Sequence, residues 1–276
     1  MYTLLTSYMW TTFTSREDRH AMTARTTPQS PGTPTWLDLW VEDVPATAAF
    51  FRDLLGYGIP DGSPEFGGYT VVHRDDRYVF GIGPAMPGSA HDVATLYLAT
   101  DDLRATLARA ESLGARRVAG PTEIPEHGHM AVVTDPGGVT VAFWQATGVV
   151  GYAAVDEPGF PCWQDCLTGD VERSAAFYRD LFGFTTEPMG DGVLLARLGD
   201  DGHFTIGACI ETDDPHWVSY LLVEDLDAMT ERAQSLGASV TMGPMDLPFG
   251  RFVHLTTPGG APFGLFQGAD AMPAQA

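Results

Sequence analysis

The chain is predicted to be an α+β protein of four βαβββ modules, arranged as two tandem domains of mixed sheet. Three observations predict it: the sequence repeats itself, each copy runs an alternating strand into an aspartate-capped helix, and several short strands with tight turns follow each helix. In the repeat, Trp36-Leu-Asp-Leu-Trp-Val-Glu-Asp43 and Ala49-Phe-Phe-Arg-Asp-Leu-Leu-Gly56 face Trp163-Gln-Asp-Cys-Leu-Thr-Gly-Asp170 and Ala176-Phe-Tyr-Arg-Asp-Leu-Phe-Gly183 at a constant offset of 127 residues. Ser112-Leu-Gly114 with Gly120-Pro121 then matches Ser235-Leu-Gly237 with Gly243-Pro244, and Pro136-Gly-Gly138 matches Pro258-Gly-Gly260.

The first strand of each copy, 35–41 or 162–168, alternates as a half-buried strand does. Asp43 and Asp170 follow as N-caps, because a short carboxylate can accept from the free amides of a first helical turn. The helix after Asp43 spaces Val44, Ala48, Phe51 and Leu55 along one face and stops at Gly56, which can take the left-handed conformation of a C-cap. Two strands then meet at the acidic turns Arg74-Asp-Asp-Arg77 and Gly199-Asp-Asp-Gly202. The pattern restarts with strands 94–100 and 217–223, caps Asp102 and Asp225, and helices ending at Gly114 and Gly237. Strands near 129–134 and 139–145 close the first unit around Asp135-Pro-Gly-Gly. The expected domains are 35–146 and 162–268, with a Gly/Pro-containing linker at 147–161 and a C-terminal tail at 269–276. Residues 1–34 are rich in Thr, Ser and Pro without periodicity and are expected to form a disordered tail; Met1 and Met22 both stand as candidate starts.

The 276 residues carry a formal charge of −21, from 15 Lys+Arg against 36 Asp+Glu. An acidic surface repels nucleic acid and anionic membranes, so neither is an expected partner. No apolar run approaches the ~18 residues of a membrane helix. Three cysteines, an odd and small number, fit a reducing cytoplasm better than a disulfide framework. Cys162 and Cys166 share a predicted strand, where residues four apart lie about 13 Å from each other, too far to share a zinc ion. They are read as packed thiols.

The run from strand through Asp cap to Phe177-Tyr-Arg-Asp-Leu-Phe-Gly-Phe184, and the Asp135-Pro-Gly-Gly turn before a last strand, resemble the modules of the vicinal oxygen chelate superfamily. That superfamily includes glyoxalases, bleomycin-resistance proteins and extradiol dioxygenases. The resemblance covers nearly all of 35–268 and implies paired modules curving into a sheet around a cavity, twice in this chain. It also implies a divalent metal held by His, Gln and Glu. Carried over one at a time, those positions fall on Trp36, Thr95 and Ala142 in the first copy and on Trp163, Val218 and Gly264 in the second. Neither 78–86 nor 203–210 contains a carboxylate, although His203 begins the second stretch. These residue types cannot converge several N, O or S donors on an ion. No metal and no other cofactor is therefore expected.

If the ligand positions face inward, alternation brings Trp36, Asp38, Trp40, Tyr97 and Trp144 to the first cavity and Trp163, Asp165 and Tyr220 to the second. A carboxylate, a phenol and indole walls suit a flat, hydroxylated, partly apolar small molecule. Asp38, Asp165, Tyr97 and Tyr220 are the candidate catalytic residues, and Trp36, Trp40, Trp144, Trp163, His129, Arg251 and His254 the candidate substrate-binding ones. Each also has a plain packing role open to it. The expected activity is metal-independent acid–base chemistry of lyase or isomerase type on an aromatic, polyketide-like natural product: dehydration, enolisation or cyclisation. The alternative is a resistance protein that sequesters an antibiotic without turnover. A monomer and a homodimer are both compatible with the sequence.

Overall fold

The computed structural model describes residues 25–85, 93–190, 192–198, 204–247 and 249–269. In the first domain β1 (Pro34–Val41), α1 (Val44–Leu55), β2 (Thr70–Arg74) and β3 (Arg77–Pro84) make one module. The second module is β4 (Val93–Ala99), α2 (Leu103–Ser112), β5 (Arg116–Ile124), β6 (Gly128–Thr134) and β7 (Thr140–Ala146). They form one seven-stranded sheet in the order β2-β3-β1-β4-β7-β6-β5. The second domain repeats the plan with β8 (Pro161–Thr168), α3 (Val171–Phe182), β9 (Thr185–Gly190), β10 (Val193–Leu198) and β11 (Phe204–Glu211). It continues with β12 (His216–Leu222), α4 (Leu226–Ser235), β13 (Ser239–Leu247), β14 (Gly250–Thr256) and β15 (Pro262–Gly268). Its eight-stranded sheet runs β13-β14-β15-β12-β8-β11-β10-β9. In both sheets the two modules meet along an antiparallel seam, β1 with β4 and β8 with β12, while parallel pairs flank it. This is the expected α+β class with mixed, curved sheets.

Local chemistry explains the helices. Asp43, Asp102, Asp170 and Asp225 each accept a hydrogen bond from the third helical amide, at 2.9–3.0 Å. Gly56 and Gly183 close α1 and α3 in the left-handed region, with φ of 71° and 80°. The first acidic turn places Asp75 and Asp76 at φ of 50° and 61°, the signature of a tight hairpin. The second, Gly199–Gly202, lies outside the described residues.

The two domains do not repeat perfectly. Where the second sheet has its edge strand β9, the first has a loop closed by isolated bridges, Gly58 to His73 and Ser63 to Tyr69, around a short 3-10 turn at Pro64–Phe66. The first module therefore supplies three strands to its sheet rather than four. Residues 1–24 of the expected tail lie outside the described residues. The rest departs from disorder, because the Arg25 amide donates to Ala153 O at 2.9 Å and its guanidinium to Pro34 O at 2.7 Å.

One buried apolar cluster runs through both domains, joining Leu37, Phe51 and Phe143 of the first to Phe177, Trp217 and Phe263 of the second. Phe50 and Phe51 meet Phe263 at 5.7 and 5.4 Å between ring centres, and Phe143 meets Phe182 at 5.8 Å. The linker is packed rather than free: Tyr152 is 1% exposed and its amide donates to Thr35 O at 2.7 Å. No helix among the described residues is long and apolar enough to cross a membrane.

Candidate functional site

Strand alternation sorts the side chains. Leu37, Leu39 and Val41 of β1, with Leu96 and Leu98 of β4, enter the core beneath the helices. Their neighbours Trp36, Asp38, Trp40, Thr95 and Tyr97 share the face turned away from the helices. Register confirms the juxtaposition, since Trp36 pairs with Tyr97 and Asp38 with Thr95 across the seam. The second domain repeats it, with Trp163 opposite Tyr220 and Asp165 opposite Val218.

At the first site Asp38 is 4% exposed and accepts three hydrogen bonds. Tyr97 Oη donates to Oδ2 at 2.7 Å, Tyr69 Oη to Oδ1 at 2.7 Å, and Trp36 Nε1 to Oδ1 at 2.9 Å. The Trp-x-Asp spacing makes the last contact possible, because residues two apart on a strand stand on one face. Burial pushes the Asp38 carboxyl above its ordinary value, although all three donors pull it down. Burial and the neighbouring carboxylate together drive the Tyr97 and Tyr69 phenols well above theirs. Half-buried Trp40 and Trp144 flank the network, Trp40 6.2 Å from the Tyr69 ring and Trp144 6.5 Å from that of Tyr97. Trp144 Nε1 is spent on Val149 O at 2.8 Å, so this indole offers its ring and not its donor.

At the second site Trp163 Nε1 donates to Asp165 Oδ1 at 2.8 Å, and Tyr220 Oη donates to Asp165 Oδ2. His254 Nε2 lies against Tyr220 Oη and 3.3 Å from Asp165 Oδ2. Asp165, Tyr220 and His254 are all buried. Burial first, then Asp165, raises the Tyr220 phenol well above its ordinary value. Tyr220 of this triad belongs to an apolar cluster with Leu167, Val218 and Phe266, against which Trp163, Phe249 and Phe252 pack. The Trp163 ring stacks on Phe249 at 5.3 Å.

Two of the expected binding residues are not brought to these sites. Arg251 and His254 are three apart on β14 and so project to opposite faces. Arg251 turns toward the helices and pairs with Asp246 at 2.7 Å and Asp227 at 2.8 Å. His129 is likewise one residue out of phase with Met130, whose sulfur lies 4.0 Å from Tyr97 Oη. Its register partner Gln145 reaches the other way, accepting from the Leu103 amide at the start of α2 at 3.0 Å. Conversely, Tyr69 joins the first site unannounced. It precedes β2 in an irregular loop, where periodicity assigns no side.

The positions at which the resemblance places metal donors carry Trp36, Thr95 and Ala142, and Trp163, Val218 and Gly264. Both tryptophan N–H groups already point at carboxylates, and an indole nitrogen has no lone pair to offer an ion. Ala142, Val218 and Gly264 have no donor atom in the side chain. Among the described residues no three His, Cys, Asp or Glu side chains converge as a metal group. The residues present do not fit the chelated ion that the scaffold implies. Cys162 and Cys166 lie on β8, and burial raises the Cys162 thiol well above its ordinary value.

Paired modules, an antiparallel seam and a buried carboxylate on the open face of each sheet define a tandem chelate-type scaffold. The model of the Glyoxalase/Bleomycin resistance protein/Dioxygenase superfamily matches residues 6–143 and 165–265, and the chain belongs to that superfamily. It is 32% identical over 252 residues, 86% of this chain and 95% of the relative, to CFP32 of Mycobacterium tuberculosis (strain CDC 1551 / Oshkosh), provisionally named a glyoxylase. It is also 32% identical over 268 residues, 90% of this chain and 97% of the relative, to the anthracycline biosynthesis protein DnrV of Streptomyces peucetius. Among solved structures it resembles the Mn(II)-bound glyoxalase of Novosphingobium aromaticivorans. There the TM-score is 0.65 at 17% identity, covering 86% of this chain and 82% of that one. The 2,3-dioxygenase LapB of Pseudomonas sp. KL28 gives a TM-score of 0.62 at 16% identity, covering 88% and 94%. At such identities the two structures attest the fold alone.

Proposed function

We propose that the chain is an enzyme that carries out metal-independent acid–base chemistry on a flat, aromatic, polyketide-like molecule, with Asp38 as the base. The observation that carries this reading is the Asp38 network: a desolvated carboxylate wired to two phenols and bordered by half-buried tryptophans. A carboxylate whose proton affinity is raised by burial is a better base when ionised, and a phenol beside it can donate to oxygen charge that develops on a substrate. Removal of a proton next to a carbonyl, followed by its return elsewhere, covers enolisation. The same removal with loss of hydroxide gives dehydration, and attack of the resulting enol carbon on a second carbonyl gives ring closure. None of these consumes an oxidant. The aromatic walls supply contact area for a planar ligand, and the anthracycline role in the name of DnrV accords with that shape.

Asp165 could run the same chemistry with Tyr220 and His254, but the second phenol on its carboxylate makes Asp38 the first choice. The test compares Asp38→Asn with Asp165→Asn in chelator-treated protein on candidate aromatic polyketide substrates. Asp38→Asn is expected to lower kcat by about a hundredfold or more, in line with the usual size of general-base effects. Asp165→Asn should stay within a few fold of wild type. Full turnover by both variants would sink the mechanism. Tight binding with no product from the wild type would instead support sequestration of the ligand.

A further inference from the structure

We infer that Tyr69 is the group through which Asp38 exchanges protons with a bound molecule, which makes Tyr69 a catalytic residue of the first domain. The inference rests on the reading above, that the Asp38 site does acid–base work. Three oxygen-bearing side chains meet there. Asp38 and Tyr97 are 4% and 3% exposed, and Tyr97 is closed in beside Met130. Tyr69 is half-buried, the least buried residue of the trio.

Its seat is built for it. A methyl at Gly81 would overlap both Tyr69 Oη and Asp38 Oδ1, and one at Gly83 would crowd the Tyr69 ring at 3.0 Å and the Trp40 ring at 2.6 Å. Neither glycine has positive φ, so conformational need does not account for them. What they provide is room on β3 for a phenol to lie across the strand and reach the carboxylate. The loop that carries Tyr69 is the one place where the first domain abandons the edge strand of the second. The second domain has no phenol in this position, and Asp165 is instead met on the same face by His254 of β14, from the β12 flank of β8. The two sites thus keep the Trp, Asp and Tyr of the seam and differ in the fourth group.

The hydrogen bonds also fix the direction of transfer. Trp36 Nε1 lies 3.2 Å from Tyr69 Oη while Tyr69 donates to Asp38. The phenol oxygen is thereby held between a donor and a base, with a remaining lone pair for a substrate proton. In the forward step the substrate C–H bond breaks and its proton goes to Tyr69 Oη. The Tyr69 O–H bond breaks at the same time, and that proton goes to Asp38 Oδ1. The electron pair of the C–H bond moves into the substrate, as an enolate or with departure of hydroxide. Reversal of the relay returns one proton to the substrate or to the leaving hydroxide, so atoms and charge balance without a co-reactant.

The experiment uses anthrone, a flat tricyclic ketone with enolisable hydrogens, and follows its exchange in deuterium oxide by NMR with the full-length protein. Wild type is expected to accelerate exchange. Tyr69→Phe should lose about a hundredfold in kcat with KM little changed, as should Asp38→Asn. Replacing Tyr69 by 3-fluorotyrosine, a more acidic phenol of nearly the same shape, should restore exchange and move the pH profile, which a packing role would not do. A thermal melt of Tyr69→Phe close to that of wild type shows the fold intact. If Tyr69→Phe exchanges at the wild-type rate while Asp38→Asn is inactive, Tyr69 is not on the path and the Asp38 reading stands. If wild type does not accelerate exchange, or both variants keep its rate, the acid–base reading falls and this inference with it.

Discussion

Asp38 keeps three hydrogen bonds and still holds its proton more tightly than an aspartate in water, because burial outweighs the donors. That balance fixes the sign of a pH effect. The ionised form is the base, so kcat/KM should rise with pH through a limb set above the ordinary 3.8 of an aspartate. Tyr97→Phe removes a donor that favours the ionised form, so the carboxyl should rise further and the limb should move to higher pH. A pH–rate profile of both proteins checks this; a limb that stays put or moves to lower pH contradicts it. At the same scale, the Trp-x-Asp pairs at 36–38 and 163–165 were legible in the sequence, because residues two apart on a strand must share a face. By the same parity Arg251 cannot accompany His254. Tyr69 was not legible, since its place depends on a loop and on two distant glycines rather than on any local period.

At the scale of the element, the four aspartate caps, the two glycine C-caps and the first acidic hairpin turn follow from residue chemistry within a few positions, and the structure has all of them. The edge strands β5 and β13 carry largely exposed side chains without a clean alternation, so neither announces itself in the sequence. Asp43→Ala is expected to destabilise the protein by about 1 kcal/mol, the usual cost of a lost N-cap bond, and urea unfolding should show it; no change would mean that tertiary packing alone holds the first turn of α1. Gly81→Ala should act differently. It places a methyl where Tyr69 and Asp38 meet, so the network rather than a helix end is disturbed. Its expected signature is loss of turnover larger than its loss of stability, read by kinetics and melting on one preparation.

At the scale of the molecule, the two copies are packed together, and the closing turn of the first domain shows how. Asp135 binds its own turn through the amides of Gly137 at 2.9 Å and Val139 at 2.8 Å, and its other oxygen accepts from Ser174 Oγ of α3 at 2.8 Å. The Gly169 amide returns a bond to Gly137 O at 3.0 Å. With an aromatic core shared across the seam between domains, unfolding is expected to be a single transition; two separated transitions would show the halves to be independent. Burial raises the Asp135 carboxyl above its ordinary 3.8 while Ser174 pulls it down. A raised folded-state value means that Asp135 favours the fold most in acid and loses that contribution as pH rises through its folded pKa. Ser174→Ala removes a donor to the ionised form and so lifts the value further. The variant should therefore lose about 1–2 kcal/mol at neutral pH, the cost of an under-satisfied buried carboxylate, and less in acid, where Asp135 carries its own proton. Urea unfolding of wild type and variant at both pH values tests this, and a deficit that is equal or larger in acid would show that Ser174 acts by packing and not through the charge on Asp135.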